Sequence, residues 1–179
     1  TIWSSIGLSL GFVIYLLAIG SDIADFWLLV TLFAVVAYSA PKLRVKEIPF
    51  LDSFTSAMHF IGPMIFALAL SNVNLFEFKL SSMILAFLGW GMASHAFGAV
   101  QDVRADREAG IKSVATAIGA RNTVRFAFLL YFLAGISLMN AGPHGMVAAL
   151  AAIPYLVIIS PYLNITDEDC ERANRGLSL

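Results

Sequence analysis

The sequence predicts an all-α fold, a multi-helix transmembrane bundle, from three observations. Of its 179 residues, 59% are hydrophobic and only 13% charged, against about 25% charged in an ordinary soluble domain. Mean hydropathy is +0.83. The apolar residues gather into six runs, and ten of the eleven Lys and Arg residues fall into alternate connections between those runs. Six buried helices of a soluble bundle would instead show polar outer faces at helical spacing.

The runs cover 3–20, 26–40, 53–71, 80–100, 124–140 and 146–163. Most approach the ~20 residues that cross the hydrocarbon layer as a helix. The first closes at the turn signal "GSDIAD". The second is short and stops before Pro41, whose ring cannot continue a helix and which pushes Ala40 out of the helical region. A short run of this kind is expected to end in a cavity or at an interface. The third lies between "APKLRVKEIPFLD" and "SNVNLFEF". The fourth ends in "GWGMASHAFGAV" and passes directly into the charged stretch "QDVRADREAGIK". The fifth and sixth are separated by "NAGPHG". Gly and Ala recur inside the runs, as close helix packing in a membrane favours. No internal repeat or low-complexity linker divides residues 1–179, which read as a single domain.

If the runs alternate in direction, Lys42, Arg44, Lys46, Arg104, Arg107, Lys112, Arg121, Arg125, Arg172 and Arg175 share one side, and Lys79 stands alone on the other. By the positive-inside rule the basic side is cytoplasmic, so the expectation is a multi-pass cell-membrane protein. Net charge is −1, which argues against nucleic acid as a partner. Cys170 is the only cysteine, so no internal disulfide forms. The opening residues lack a basic region and a cleavage site and do not resemble a signal peptide. The chain starts with Thr1 almost inside an apolar run, and the expectation is a piece of a longer protein.

Asp102 and Asp106 are four residues apart at the end of the fourth run. On a helix they share a face, whereas Glu108 points elsewhere. Two such carboxylates suit Mg²⁺, which takes oxygen ligands, keeps several waters and often completes its shell with phosphates. Arg104, Arg107 and Lys112 are near enough in sequence to assist a diphosphate. Gly110 ends the acidic turn, and Ser113 and Thr116 are candidate donors. The plain alternative is a solvated loop with local acid–base pairs. On the same side, Tyr38 and Lys42 are also four apart, beside Arg44 and Lys46, and could grip an anion. Their plain alternative is an interfacial Tyr anchor and a topogenic Lys. His59 and His95 lie within apolar runs and read first as hydrogen-bonded packing residues. His95 sits two turns above Asp102 and could line the cavity over it. His144 reads as inert. Asn164 heads a glycosylation sequon that a cytoplasmic location would leave unmodified. The tail "TDEDCERANR" reads as a solvated connection.

The stretches "AYSAPKLRVKEIPFLDSFTSAMHF", "WGMASHAFGAVQDVRADREAGIKSVATAIGAR" and "NITDEDCERANR" resemble the UbiA superfamily of intramembrane prenyltransferases, and within it the actinobacterial lycopene elongases of fifty-carbon carotenoid synthesis. The resemblance covers nearly the whole chain. It implies a nine-helix bundle around a central cavity, six of whose helices are present here. It implies Mg²⁺ as cofactor, dimethylallyl diphosphate as donor and lycopene, or a related polyene, as acceptor. Asp102 and Asp106 match the second of the superfamily's two Asp-rich motifs, as metal ligands and catalytic residues. Tyr38 and Lys42 match its Tyr/Lys motif and are implied as catalytic residues too. Lys42, Arg44, Arg104, Arg107, Lys112 and His95 are the implied substrate-binding set. Nothing before Tyr38 matches the first Asp-rich motif. That implies truncation at the N-terminus, and at the C-terminus as well, with residues 1–179 inactive by themselves. Trp90, Phe97 and Phe60 are, by depth alone, the aromatic candidates for facing an allylic cation. The resemblance leaves the proton-abstracting base unnamed.

Another acceptor, such as a quinone-ring precursor, is the nearest alternative. A transporter would place charge at mid-membrane in broken helices, whereas here the acids lie at one edge. A purely structural subunit is the third reading.

Overall fold

The computed structural model describes residues 2–170. Arg172 and Arg175 of the basic set lie outside the described residues. Eight α-helices follow one another: α1 (Ile2–Ile19), α2 (Asp22–Ser39), α3 (Leu51–Leu70), α4 (Phe78–Val100), α5 (Val103–Glu108), α6 (Val114–Met139), α7 (Pro143–Ala149) and α8 (Ala152–Ile159). No strand occurs among the described residues.

The first five apolar runs each fall in one helix, whereas the sixth is broken by a turn at residues 150–151 into α7 and α8. Five helical segments are long and apolar enough to cross a membrane: α2, α3, α4, α6 and the combined stretch Pro143–Tyr162. The first run is a shorter apolar helix over Trp3–Ile19. Trp3, Phe12, Phe33, Leu85 and Val157 stand exposed on their helices, as lipid-facing side chains do.

Local chemistry sets the boundaries. The Ser21 hydroxyl accepts the Ala24 N–H and starts α2, which therefore begins four residues before the apolar run does. Pro41 ends it, and Ala40 takes the extended ψ of 133° expected before proline. Helix α6 starts ten residues before its apolar run. Ser113 and Thr116 form a reciprocal capping box there. The Thr116 hydroxyl donates to the Ser113 carbonyl, whereas the Ser113 hydroxyl accepts the Thr116 N–H.

Helix α4 packs most extensively on α6, and α3 lies between α2 and α4. Small residues allow this. A Cβ on Gly62 would fall 2.3 Å from Thr31 Oγ1, and one on Gly91 would fall 3.0 Å from Ala57 Cβ. The largest core cluster gathers at the C-terminal half of α4 and the N-terminal half of α6, with Ala96, Val100, Val103, Val114 and Val124 fully buried. That packed block is the floor on which the charged loops rest.

Candidate functional site

Three connections meet at this end of the bundle. The first follows Pro41. Arg44 adopts a left-handed conformation (φ 40°) that turns the chain into a short 3₁₀ turn, Val45–Glu47, and pairs with Glu47. Next comes Asp52, in the first turn of α3. It is fully buried. Its Oδ1 accepts the Ser53 N–H at 2.7 Å and its Oδ2 accepts the Val114 N–H at 2.8 Å. One carboxylate thereby holds the N-termini of α3 and α6 together, where helix dipoles favour negative charge.

The second connection joins α4 to α6. Asp102 precedes α5, and its carbonyl accepts the Asp106 N–H at 2.8 Å. Gly110 closes α5 with φ 70°, a conformation open to glycine without strain. This short helix keeps the two acids one turn apart, and both line the same cavity of about 420 Å³. Burial, and then the neighbouring Asp102 charge, push the Asp106 carboxyl above the usual carboxylate range.

The cavity wall carries three bases, Arg44, Lys46 and Lys112, and also Tyr38, His95 and Asp52. Of the expected site residues, Tyr38, Arg44, His95, Asp102, Asp106 and Lys112 are therefore brought together. Lys42 and Arg104 are not part of that wall; from the first loop, Arg44 and Lys46 take the place expected for Lys42. Pro41 explains this, because the helical face that holds Tyr38 ends before residue 42.

Arg107 is turned away altogether. It pairs with Asp167 and reaches the Thr116 carbonyl. Asp167 Oδ1 accepts the Ala120 N–H at 2.6 Å, just past Gly119, whose φ of 80° interrupts α6. Burial raises the Asp167 carboxyl, but the Ala120 N–H and then Arg107 outweigh it and hold the group below its usual range. Arg125 bonds the Leu163 carbonyl and the Asn164 side chain, and Cys170 is buried. Residues 164–170 are therefore a strap tied across the α4–α6 connection, not the solvated connection expected. Sequence reading also passed over Asp52, which looks like the polar edge of an apolar run. A carboxylate just inside a helix start was the available signal.

A second cavity, also about 420 Å³, lies along α4 and is lined by Phe87, Trp90, Tyr131 and Tyr155 with Met64 and Met83. Phe87 stacks on Trp90 at 5.5 Å, Tyr131 stacks on Tyr155 at 4.9 Å, and Trp90 meets Tyr155 edge-on at 6.2 Å. Phe60 touches the outer side of Trp90 at 6.4 Å. Phe97, expected as a cavity aromatic, is instead buried in the core against Tyr162. His59 bonds the Thr55 carbonyl at 2.8 Å and packs on Tyr38, in keeping with its packing role.

Among the described residues no group of three or more His, Cys, Asp or Glu side chains is spaced to hold a metal. The Asp102–Asp106 pair fits Mg²⁺ as a two-carboxylate contribution. A divalent cation would offset the charge that these two acids bring to one cavity wall. Waters and diphosphate oxygens would complete such a shell.

A profile of the UbiA prenyltransferase family matches residues 1–177. The chain is 48% identical over 166 residues to the C(50) beta-cyclic carotenoids biosynthesis protein LbtBC of Dietzia sp. (strain CQ4), covering 92% of this chain and 38% of that protein. It is 39% identical over 178 residues to a lycopene elongase/hydratase of Corynebacterium glutamicum, covering 98% and 61% respectively. A lycopene elongase/hydratase of Haloferax volcanii is 34% identical over 146 residues, 80% of this chain and 46% of that protein. The chain thus spans less than two thirds of the length of these relatives. No solved structure matches.

Proposed function

Because the chain belongs to the UbiA prenyltransferase family, we propose that it forms the diphosphate grip and part of the acceptor chamber of a carotenoid-elongating prenyltransferase. The donor is dimethylallyl diphosphate and the acceptor lycopene or a close polyene. The observation that carries this is the juxtaposition along α4: a cavity with four carboxylates, Glu47, Asp52, Asp102 and Asp106, and three bases at one end, and an aromatic chamber beyond it.

Arg44, Lys46 and Lys112 bind the anionic diphosphate and steady the charge that grows on it as the carbon–oxygen bond breaks, the step at which electrostatic stabilisation counts most. Mg²⁺, held by Asp102 and Asp106 when bound, supplies further neutralisation of the leaving group. Tyr38 lines the same cavity. The allylic cation needs a dry surrounding and aromatic faces, which Trp90, Phe87, Tyr131 and Tyr155 provide. Trp90 and Gly98 on α4, in the walls of the two cavities, are separated by about 12 Å of helix rise. That distance suits a short allylic donor reaching from one cavity toward the other. The excess of Lys and Arg on this side makes it the cytoplasmic one.

The test is expression of the complete gene product in cells that make lycopene, followed by pigment extraction. Pigments lengthened by one and then two five-carbon units are expected. Unaltered lycopene beside a prenylated aromatic product would transfer the reading to a different acceptor.

A further inference from the structure

Prenyl transfer onto an alkene leaves a carbocation that either loses a proton or adds water, and the grip described above assigns no residue to take a proton. Asp52, Ser53 and His95 form a chain of groups suited to the task. Asp52 accepts two backbone N–H groups, one on each oxygen, so that both oxygens act as acceptors. The Ser53 hydroxyl donates to Asp52 Oδ1 at 3.4 Å. The same hydroxyl lies 3.2 Å from His95 Nδ1. With the Ser53 proton given to the carboxylate, the hydroxyl meets Nδ1 as an acceptor; Nδ1 then carries the imidazole proton and Nε2 keeps the lone pair. The ring lines the charged cavity. With Nδ1 turned to Ser53, the basic nitrogen is the one left for that cavity. His95 is also five positions beyond Trp90 on α4, about 7.5 Å of helix rise, between the diphosphate grip and the aromatic chamber.

We propose that His95 Nε2 accepts the proton released by the prenylated polyene, with Ser53 and Asp52 as positioning residues that fix its tautomer. The inference rests on the polyene reaction proposed above. The donor carbon–oxygen bond breaks and diphosphate leaves with the electron pair. The acceptor double bond supplies the pair for the new carbon–carbon bond, which leaves a cation on the adjacent carbon. A neighbouring C–H bond then gives its pair to a new double bond and its proton to Nε2. The imidazolium passes that proton to water at the cavity mouth.

The experiment uses the complete gene product in membranes, with dimethylallyl diphosphate and lycopene. It follows diphosphate release and the elongated pigments separately. His95→Gln retains a polar partner for Ser53 but has no basic nitrogen. Its deprotonated elongated product should fall about a hundredfold, the lower range for loss of a general base. Diphosphate release and the KM for donor should stay near wild type, and the surviving product should shift toward the hydrated form. Ser53→Ala, which retains the backbone N–H to Asp52, should show the same shift about tenfold more weakly, and it decides the matter if the Gln variant does not insert. Wild-type yield and product ratio in an inserted His95→Gln protein, or in Ser53→Ala should the Gln variant not insert, would overturn the inference while leaving the proposed function intact. A wild-type protein that elongates no polyene removes both.

Discussion

The two cavities along α4 enclose the same volume, about 420 Å³ each, yet they are made from different parts of the chain. The aromatic chamber is built from side chains of α3, α4, α6 and the start of α8. What varies there is chiefly apolar side-chain shape. The charged cavity is built from helix ends and their connections, where free N–H groups, left-handed turns and ionisable side chains are tolerated. Apolar selectivity and ionic chemistry are thus separated along one helix by position relative to its end. Substitutions in one cavity should therefore alter one substrate's kinetics and spare the other's.

The largest effect is expected from Asp102→Asn or Asp106→Asn. Each keeps size but removes charge facing the leaving group. Both kcat and kcat/KM should fall about a hundredfold or more, on the order of 2.7 kcal/mol. The assay varies Mg²⁺ at matched expression, and near-normal turnover would reduce the charged cavity to a solvated loop. Trp90→Ala should act on the other side of the comparison. Loss of its three ring contacts costs on the order of 1–2 kcal/mol, so kcat/KM for the polyene should drop about tenfold while the donor KM is unchanged. An equal rise in donor KM would merge the two cavities into one site.

Next comes the strap. Asp167 is held below its unfolded value, so its contribution is full above the usual carboxylate range and disappears as pH falls through the lowered one. Asp167→Asn should lower the thermal unfolding midpoint in detergent at neutral pH, by the equivalent of about 1 kcal/mol for a partly exposed pair. The gap to wild type should close in acid below about pH 4. A gap that stays constant with pH would mean that the carboxylate charge does not hold the strap. The smallest effect separates two neighbouring lysines. Lys46→Met should raise the donor KM about fivefold at most, the worth of one partly exposed charge. Lys42→Met should leave it unchanged, since residue 42 is outside the cavity wall. The reverse order would restore Lys42 to the grip.

The helices were legible because lipid imposes long apolar runs, and the break at Pro41 and the turn at Gly110 were legible because each residue's backbone preference is local. The alternation of basic connections paired the Tyr38 and Asp102 loops before any coordinates did. Other features depend on relations that a linear pattern does not encode. Asp52 joins the start of α3 to the start of α6 over 62 positions, and Arg107 finds Asp167 over 60. Such partners are set by how helices stack. The aromatic chamber was hidden for a related reason. Trp90 and Phe97 are equally apolar in sequence, and only the rotation of α4 against α6 and α8 sends one into a cavity and the other into the core.

The strap also dictates a schedule. Arg107 leaves the ribosome sixty residues before Asp167, the group that fixes it. At about 5–20 residues per second, that gap lasts roughly 3–12 s, during which the α4–α6 connection has no clasp and Gly119 has nothing to hold α6 in its broken form. The clasp therefore closes only after every residue of the charged cavity has been made.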